Sequence, residues 1–358
     1  MRMGIVKFVA RAAALLVLLS DCTAYAGKNH GGGGTSGGGG TGGTGGTGGT
    51  GTTSIGPACK ILDTSEPWNQ PAPNTRHPDS DALVQALWNT GSDRAGNINI
   101  LPSYSVYVMG KADPQYYVST TYGNLNNTVV NYQALWLPHN YDRQVVVKTA
   151  SDSYYYEYFN TTVDSTNNRV AAARGEYLNV DQKGTTLNGG NSPSRGIGIP
   201  YIHMLILDCE IRSGVINHAL SMRIARPRCN EAWWPATKVE NHPQCITGGN
   251  PEGARFVVKL TQQQVDTWAA GLRAKGGSVL ESFGRSVAAA LQTYGFFLTD
   301  NGGATAGIDM QAFETLSTDT ALRSVYLLHP TDIRDMLDGL LGPGAIQAVD
   351  EAGPRLYR

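Results

Sequence analysis

The chain has 358 residues, 41% of them hydrophobic, and its 28 basic and 29 acidic side chains leave a formal charge of −1. A near-neutral chain with no basic stripe lacks the electrostatic footprint of a nucleic-acid-binding protein. Beyond the N-terminus no run is long and apolar enough for a membrane helix.

Residues 1–26 have the form of a secretory signal. Arg2, Lys7 and Arg11 precede an apolar run at 12–19, and Ala24-Tyr25-Ala26 is a small-x-small cleavage site that starts the mature chain at Gly27. The run is too short for a stop-transfer helix, so no membrane insertion is expected after cleavage. Cys22 raises a lipid-anchored alternative, but Asp21 stands where a lipobox has a small residue, and simple cleavage is the reading taken. Residues 27–54 are almost wholly Gly and Thr. Such a segment buries too little apolar surface to offset its ordering entropy and is read as a flexible tether. Residues 55–358 are expected to form one globular β-rich domain.

Within that domain a helix is expected over 80–88. Runs rich in Val, Tyr and Thr, punctuated by Asn, Gly, Asp and Pro, predict strands at 104–109, 115–120, 128–137, 143–149 and 154–161. Further strands are expected at 202–211, 215–225 and 255–260. Thr261-x-x-Gln264 is a capping box that opens a helix to about 274. A second helix over 279–294 carries Phe283, Val287, Leu291 and Tyr294 on one stripe, with Gly295 as its stop. A short buried strand at 296–299 and a helix over 331–341 complete the series. Many strands followed by a few helices predict a mainly β fold, sandwich-like or jelly-roll-like, with helices appended toward the C-terminus.

The chain has five cysteines, four of them beyond the signal. An even number in an exported chain favours disulfides. Cys229 and Cys245 bracket a Trp/Pro-rich loop and are expected to pair, which leaves Cys59 for Cys209 by elimination. A metal reading of Cys229, His242 and Cys245 matches no zinc spacing.

Three groups of residues suggest chemistry. If 202–211 and 215–225 form a hairpin, Asp208 lies opposite His218 on a largely apolar face, with Glu210 one step along it. An Asp that fixes a His tautomer makes it a better base. The competing reading is a single helical turn over 209–214, which breaks that pairing, with His218 a core residue satisfied by one carboxylate. The second group is Tyr154-Tyr-Tyr-Glu-Tyr-Phe159, where Glu157 among aromatic rings is a candidate acid, and Tyr156 and Tyr158 suit sugar faces. Its bland alternative is an aromatic core. The third is Asp300-Asn301 at the end of a buried strand, a place for binding residues or for ordinary turn chemistry. Trp68 is a sugar platform or a core plug, and Arg174 and Arg195, expected in Gly-rich loops, could grip a carboxylate or phosphate. Gly184–Gly190 lacks the Lys-Ser/Thr of a phosphate loop. No pattern implies an organic cofactor or a metal.

Several stretches, in order, are similar to those of a family of secreted bacterial β-rich proteins. They are Pro67-Trp-Asn69, His77-Pro-x-Ser80, Tyr156-Glu-Tyr158, Gly198-Ile-Pro200, Cys209-Glu-Ile-x-x-Gly-x-Ile-x-His-Ala-Leu220, Trp234-Pro-Ala-Thr237, Pro251-Glu-Gly253, Ala290-Leu-x-x-Tyr-Gly295 and Asp300-Asn-Gly302. The resemblance covers most of residues 66–303 and implies an extracellular carbohydrate-associated protein of no assigned chemistry. It departs at Gln144, where relatives tend to carry a His after Asp142-Arg143. The expected function is extracellular polysaccharide cleavage by a hydrolase or lyase. In that scheme His218 is the base, oriented by Asp208, with Glu157 or Asp300 as acid and Glu210 in reserve. Trp68, Tyr156, Tyr158, Arg174, Arg195 and Asn301 would contact the glycan. The alternative is a non-catalytic carbohydrate-binding or surface-adhesion domain on a tether.

Overall fold

The computed structural model describes residues 64–91, 97–149, 154–179, 195–240, 242–303 and 306–357. The expected signal segment, the Gly/Thr-rich tether, Cys59 and the 184–190 stretch lie outside them. The chain is strand-rich with a few helices, as expected. Fifteen strands are described: β1 (Asn99–Met109), β2 (Gln115–Tyr122), β3 (Thr128–Asn131), β4 (Val145–Thr149), β5 (Tyr154–Phe159), β6 (Thr162–Asp164), β7 (Arg169–Asn179), β8 (Leu220–Ile224), β9 (Pro227–Trp233), β10 (Asn250–Glu252), β11 (Arg255–Val258), β12 (Phe296–Asn301), β13 (Gly307–Gln311), β14 (Ile346–Val349) and β15 (Arg355–Tyr357). The helices are α1 (Ser80–Ala86), α2 (Asp208–Ser213), α3 (Gln262–Thr293), α4 (Ala321–Leu328) and α5 (Pro330–Arg334).

Twelve strands form one mixed sheet in the order β14-β11-β12-β8-β13-β1-β4-β5-β7-β2-β3, with β6 on β7; β10-β9-β15 form a small second sheet. Strand β1 joins the two halves of the large sheet. Its first residues pair in parallel with β13, its last in parallel with β4, and the register shifts between Pro102 and Tyr104. Pairs β8/β12 and β2/β7 are also parallel. A jelly-roll is antiparallel throughout; these four parallel pairings make the observed sheet a mixed one.

The main core lies where α1, α3 and the C-terminal helices pack on the β8–β14 half, and it includes Leu83, Ile100, Phe256, Leu291 and Phe296. The capping box of α3 is present: Gln264 N–H donates to Thr261 Oγ1 at 3.3 Å, and Thr261 N–H donates to Gln264 Oε1 at 2.9 Å. Gly276 and Gly277 interrupt the helix, the latter at φ 70°, ψ −166°, a conformation only glycine adopts comfortably. The two helices expected at 261–274 and 279–294 are therefore the two limbs of α3. Phe283, Val287 and Leu291 bury one stripe of the second limb, as their spacing requires.

The expected hairpin is absent. In place of a strand over 202–211 there is a buried loop with one bridge, Ile206 to Met310, followed by α2. Gly214 at φ 70° closes that helix rather than turning a hairpin, and the next strand begins only at Leu220. Leu205 and Ile206 are both fully buried. The apolar run thus marked burial on all sides, which periodicity cannot distinguish from a strand. The expected 331–341 helix is shorter, as α5 ends at Arg334.

Three strands and a loop meet at a buried ion network. Arg195 and Asp309 are fully buried and paired at 3.0 Å, and Arg223 Nε lies 2.6 Å from the other Asp309 oxygen. Ser221 of β8 donates to Asp309 at 2.6 Å, and Arg195 donates to Thr299 of β12 at 3.2 Å and to the Tyr201 carbonyl at 2.7 Å. Asp309 is the sole anion paired with both guanidiniums among the described residues. Asp309→Ala leaves two cations without their counter-ion and is expected to destabilise the fold by about 3–5 kcal/mol, read as a lower midpoint in urea unfolding.

Candidate functional site

Two carboxylates meet beside the network. The register of β12 against β8 shifts between Leu298 and Asp300, and such a shift re-aims the residues beyond it. The Asn301-Gly302-Gly303 turn follows, held by Gly303 N–H to Asn301 Oδ1 at 2.7 Å. Glu240 comes from the loop after β9. The Asn301 N–H is shared between Asp300 Oδ1 at 3.0 Å and Glu240 Oε2 at 3.2 Å. Gly196 makes this approach possible: a Cβ there would sit 2.6 Å from Glu240 Oε2 and 2.7 Å from Asp300 Oδ1. Both side chains are half-buried.

Glu252 of β10 adds a third carboxyl next to Glu240. It is 2% exposed and its Oε1 has no hydrogen-bond partner. Burial, and then repulsion from Glu240, push its carboxyl well above the usual carboxylate range. The same two causes push Asp300 up to about 7. Anions this close cannot all ionise in a poorly solvated place, so protons are retained near neutral pH. Lys238 lies among them: burial and Arg174 lower its ammonium, while Asp300, Glu240 and Glu157 act in the opposite sense. The buried Tyr104 hydroxyl, in the field of Asp300, also has no partner among the described residues.

Glu157 on β5 belongs to the same neighbourhood. It is fully buried and accepts the Tyr201 N–H at 2.8 Å. Arg174 is on strand β7 rather than in a loop, 3.4 Å from Glu176 and 5.9 Å over the Tyr122 ring. Asn301 contributes its backbone N–H, while its side chain serves the turn.

Other expected site residues lie elsewhere. Asp208 does not meet His218: its Oδ1 accepts from Ser317 N–H at 3.2 Å and from the Thr320 hydroxyl, tying down the loop before α4. His218 pairs instead with Glu210, Nε2 to Oε1 at 2.9 Å, and its Nδ1 is 2.8 Å from the Ala219 carbonyl. Burial opposes the imidazolium, but Glu210 outweighs it and raises the His218 pKa. Glu210 also accepts the Leu207 N–H at 3.0 Å, so the pair anchors α2 to the approach to β8. Trp68 is 1% exposed and plugs a core cluster, edge-on to His203 at 5.0 Å. Tyr158 is fully buried against Tyr132, and Arg195 is consumed by the ion network. None of these three can offer a surface to a glycan. Tyr156 is half-buried beside Tyr177 at 5.1 Å. Gln144 is buried and joined to Asn140 by two hydrogen bonds.

Sequence reasoning overlooked Glu240, Glu252 and Lys238. Two signals were available: Glu252 sits inside Pro251-Glu-Gly253, and Lys238 and Glu240 directly follow Trp234-Pro-Ala-Thr237. Cys229 and Cys245 form the expected disulfide, which occupies both thiols. Cys209 is also disulfide-bonded, and its expected partner Cys59 lies outside the described residues. Among the described residues no group of His, Cys, Asp and Glu is arranged to hold a metal ion, and no helix is long and apolar enough to cross a membrane. No family model, curated protein or solved structure matches this chain.

Two predictions follow from this geometry. Asp300 has a folded pKa above its unfolded one, so its contribution to stability is complete below about pH 4 and is lost as the pH rises through about 7. Asp300→Asn is therefore expected to match the parent at pH 4 and exceed it at pH 8, by on the order of 1–3 kcal/mol, in parallel denaturant titrations. The 229–245 disulfide closes the loop that carries Lys238 and Glu240. Replacing both cysteines by Ser is expected to cost about 3 kcal/mol and to speed amide exchange across 236–246.

Proposed function

We propose that this chain is an exported polysaccharide-cleaving enzyme, a glycoside hydrolase or polysaccharide lyase, with Asp300 as general acid and Glu240 as the second carboxyl group of the pair. The observation that carries this reading is the single Asn301 N–H shared by two carboxylates over Gly196. Paired carboxyl groups whose environments push their pKa values apart are the usual basis of acid and base assignments. Asp300 holds its proton up to about pH 7, so it can protonate the leaving glycosidic oxygen. In a hydrolase Glu240 activates water or attacks the anomeric carbon. In a lyase it removes the proton beside a uronate carboxylate while the C–O bond to the leaving sugar breaks. Glu252 and Lys238 would hold Glu240 in place, and Glu157 would position Lys238. The Cys229–Cys245 disulfide and the ordered resemblance to secreted proteins support an oxidising, extracytoplasmic location.

A tethered binding module is the second reading. It is favoured by the clustered rings of Tyr154, Tyr156 and Tyr177, two of which are 38% exposed. A polysaccharide panel read by new reducing ends and by ultraviolet absorbance of unsaturated uronides separates the two. Cleavage is expected to fall as the pH rises above about 7, when Asp300 loses its proton. Asp300→Asn is expected to reduce kcat by roughly 10²–10⁴-fold. Gly196→Ala is expected to impair it strongly by forcing the carboxylates apart. Cleavage unaffected by Asp300→Asn would remove the acid assignment, and binding without cleavage would favour the module.

A further inference from the structure

A second cavity shares no lining residue with the carboxylate group. It measures about 580 Å³ and lies between the first limb of α3 and the turn at 336–340. Gln264, Trp268, Gly271 and Lys275, spaced by four, three and four, form one stripe of α3 along it. The stripe has a notch at Gly271. This glycine occupies an exposed position in the middle of a helical limb, where it destabilises relative to alanine. A Cβ at Gly271 would meet nothing within 4 Å, and its φ is not in the left-handed region. Neither packing nor backbone conformation therefore requires a glycine there. What its small size preserves is the open space of the cavity.

The lining indicates what that space suits. Leu260, Leu272 and Met336 give an apolar floor, and Gln263, Thr267 and Asp338 bring polar groups to the rim. The Trp268 indole N–H is already donated to the Met336 carbonyl at 2.8 Å. That bond fixes the ring, which packs in part on the main core and lines the cavity with the remainder of its apolar surface. Lys275 lies 4.0 Å from Asp332, so its charge is matched. Burial, and then Asp335, raise the Asp338 carboxyl. The rim has donors and acceptors and no excess of either charge. The volume is that of a site for a ligand of several hundred daltons.

We propose that this cavity binds a short neutral saccharide stacked on Trp268, as a glycan-holding site separate from Asp300 and Glu240. The test titrates the full chain with cellohexaose, xylohexaose, maltohexaose and chitohexaose, following the indole N–H signals by NMR. At least one saccharide is expected to shift the Trp268 signal saturably. Gly271→Phe, which fills the notch, is expected to abolish the shift while melting no lower than the parent. Gln263→Ala is expected to weaken binding severalfold. Asp300→Asn is expected to leave it unchanged, so the two sites can fail independently. No shift with any saccharide, or a shift that persists in Gly271→Phe, would overturn the proposal. Displacement of the Trp268 signal by octanoate alone would overturn it in favour of an apolar ligand.

Discussion

The pairing of Arg195 with Asp309 is the constraint on which the rest of the molecule depends. Both are fully buried, and in such a place an unpaired ion costs several kcal/mol. Asp309 lies on β13, Arg223 and Ser221 on β8, Thr299 on β12, and Arg195 leads the loop to Tyr201. One anion thus fixes two neighbouring strands and a segment that has no ladder of its own. Tyr104 on β1 packs under both guanidiniums, with its ring 5.3 Å from Arg195 and 5.8 Å from Arg223. The network is therefore seated where β1 passes from one half of the large sheet to the other.

The carboxylate group is a consequence of that arrangement. Gly196 follows Arg195 directly, so the buried cation places the one residue without a side chain against Asp300 and Glu240. Thr299, bonded to Arg195, precedes Asp300. The positions of both carboxylates are thus set by the same ion network from two directions. Glu240 has a further restraint in the 229–245 disulfide. The loop is stapled at its base and tied to the segment after Arg195 through Thr237, whose N–H donates to the Ile197 carbonyl at 2.9 Å.

His218 illustrates how the same residue types serve structure. A His and a carboxylate do meet, as the residue pattern suggested, but the partner is Glu210 and not Asp208. Both ring nitrogens lie within hydrogen-bonding distance of protein oxygens, and the pair joins α2 to the strand that follows. Asp208, turned away by the helix, secures the loop before α4 instead. Trp68, Tyr158 and Arg195 follow the same pattern: each has the chemistry of a glycan contact and each is enclosed by the core.

The sequence by itself determined the elements whose signals are local. The capping box at Thr261, the glycine break at 276–277 and the apolar stripe of α3 each act within a few residues, and the helices follow. Most of the strands from β1 to β5 were legible from β-branched and aromatic runs between turn residues, and the 229–245 disulfide from the placement of its cysteines. Only the tertiary structure decided the rest. Strands β7 and β13 carry no strong local pattern and exist because the sheet buries them between neighbours. The first half of the 202–211 run, Ile202 to Ile206, is buried throughout, and periodicity has no face to select when every side is enclosed. Asp300, Glu240 and Glu252 come from separate segments, brought together by the shift in β12, the stapled loop and the absence of a side chain at Gly196. The N–H shared by Asp300 and Glu240 and the raised carboxyls of Asp300 and Glu252 are properties of that proximity, which no single stretch of the chain contains.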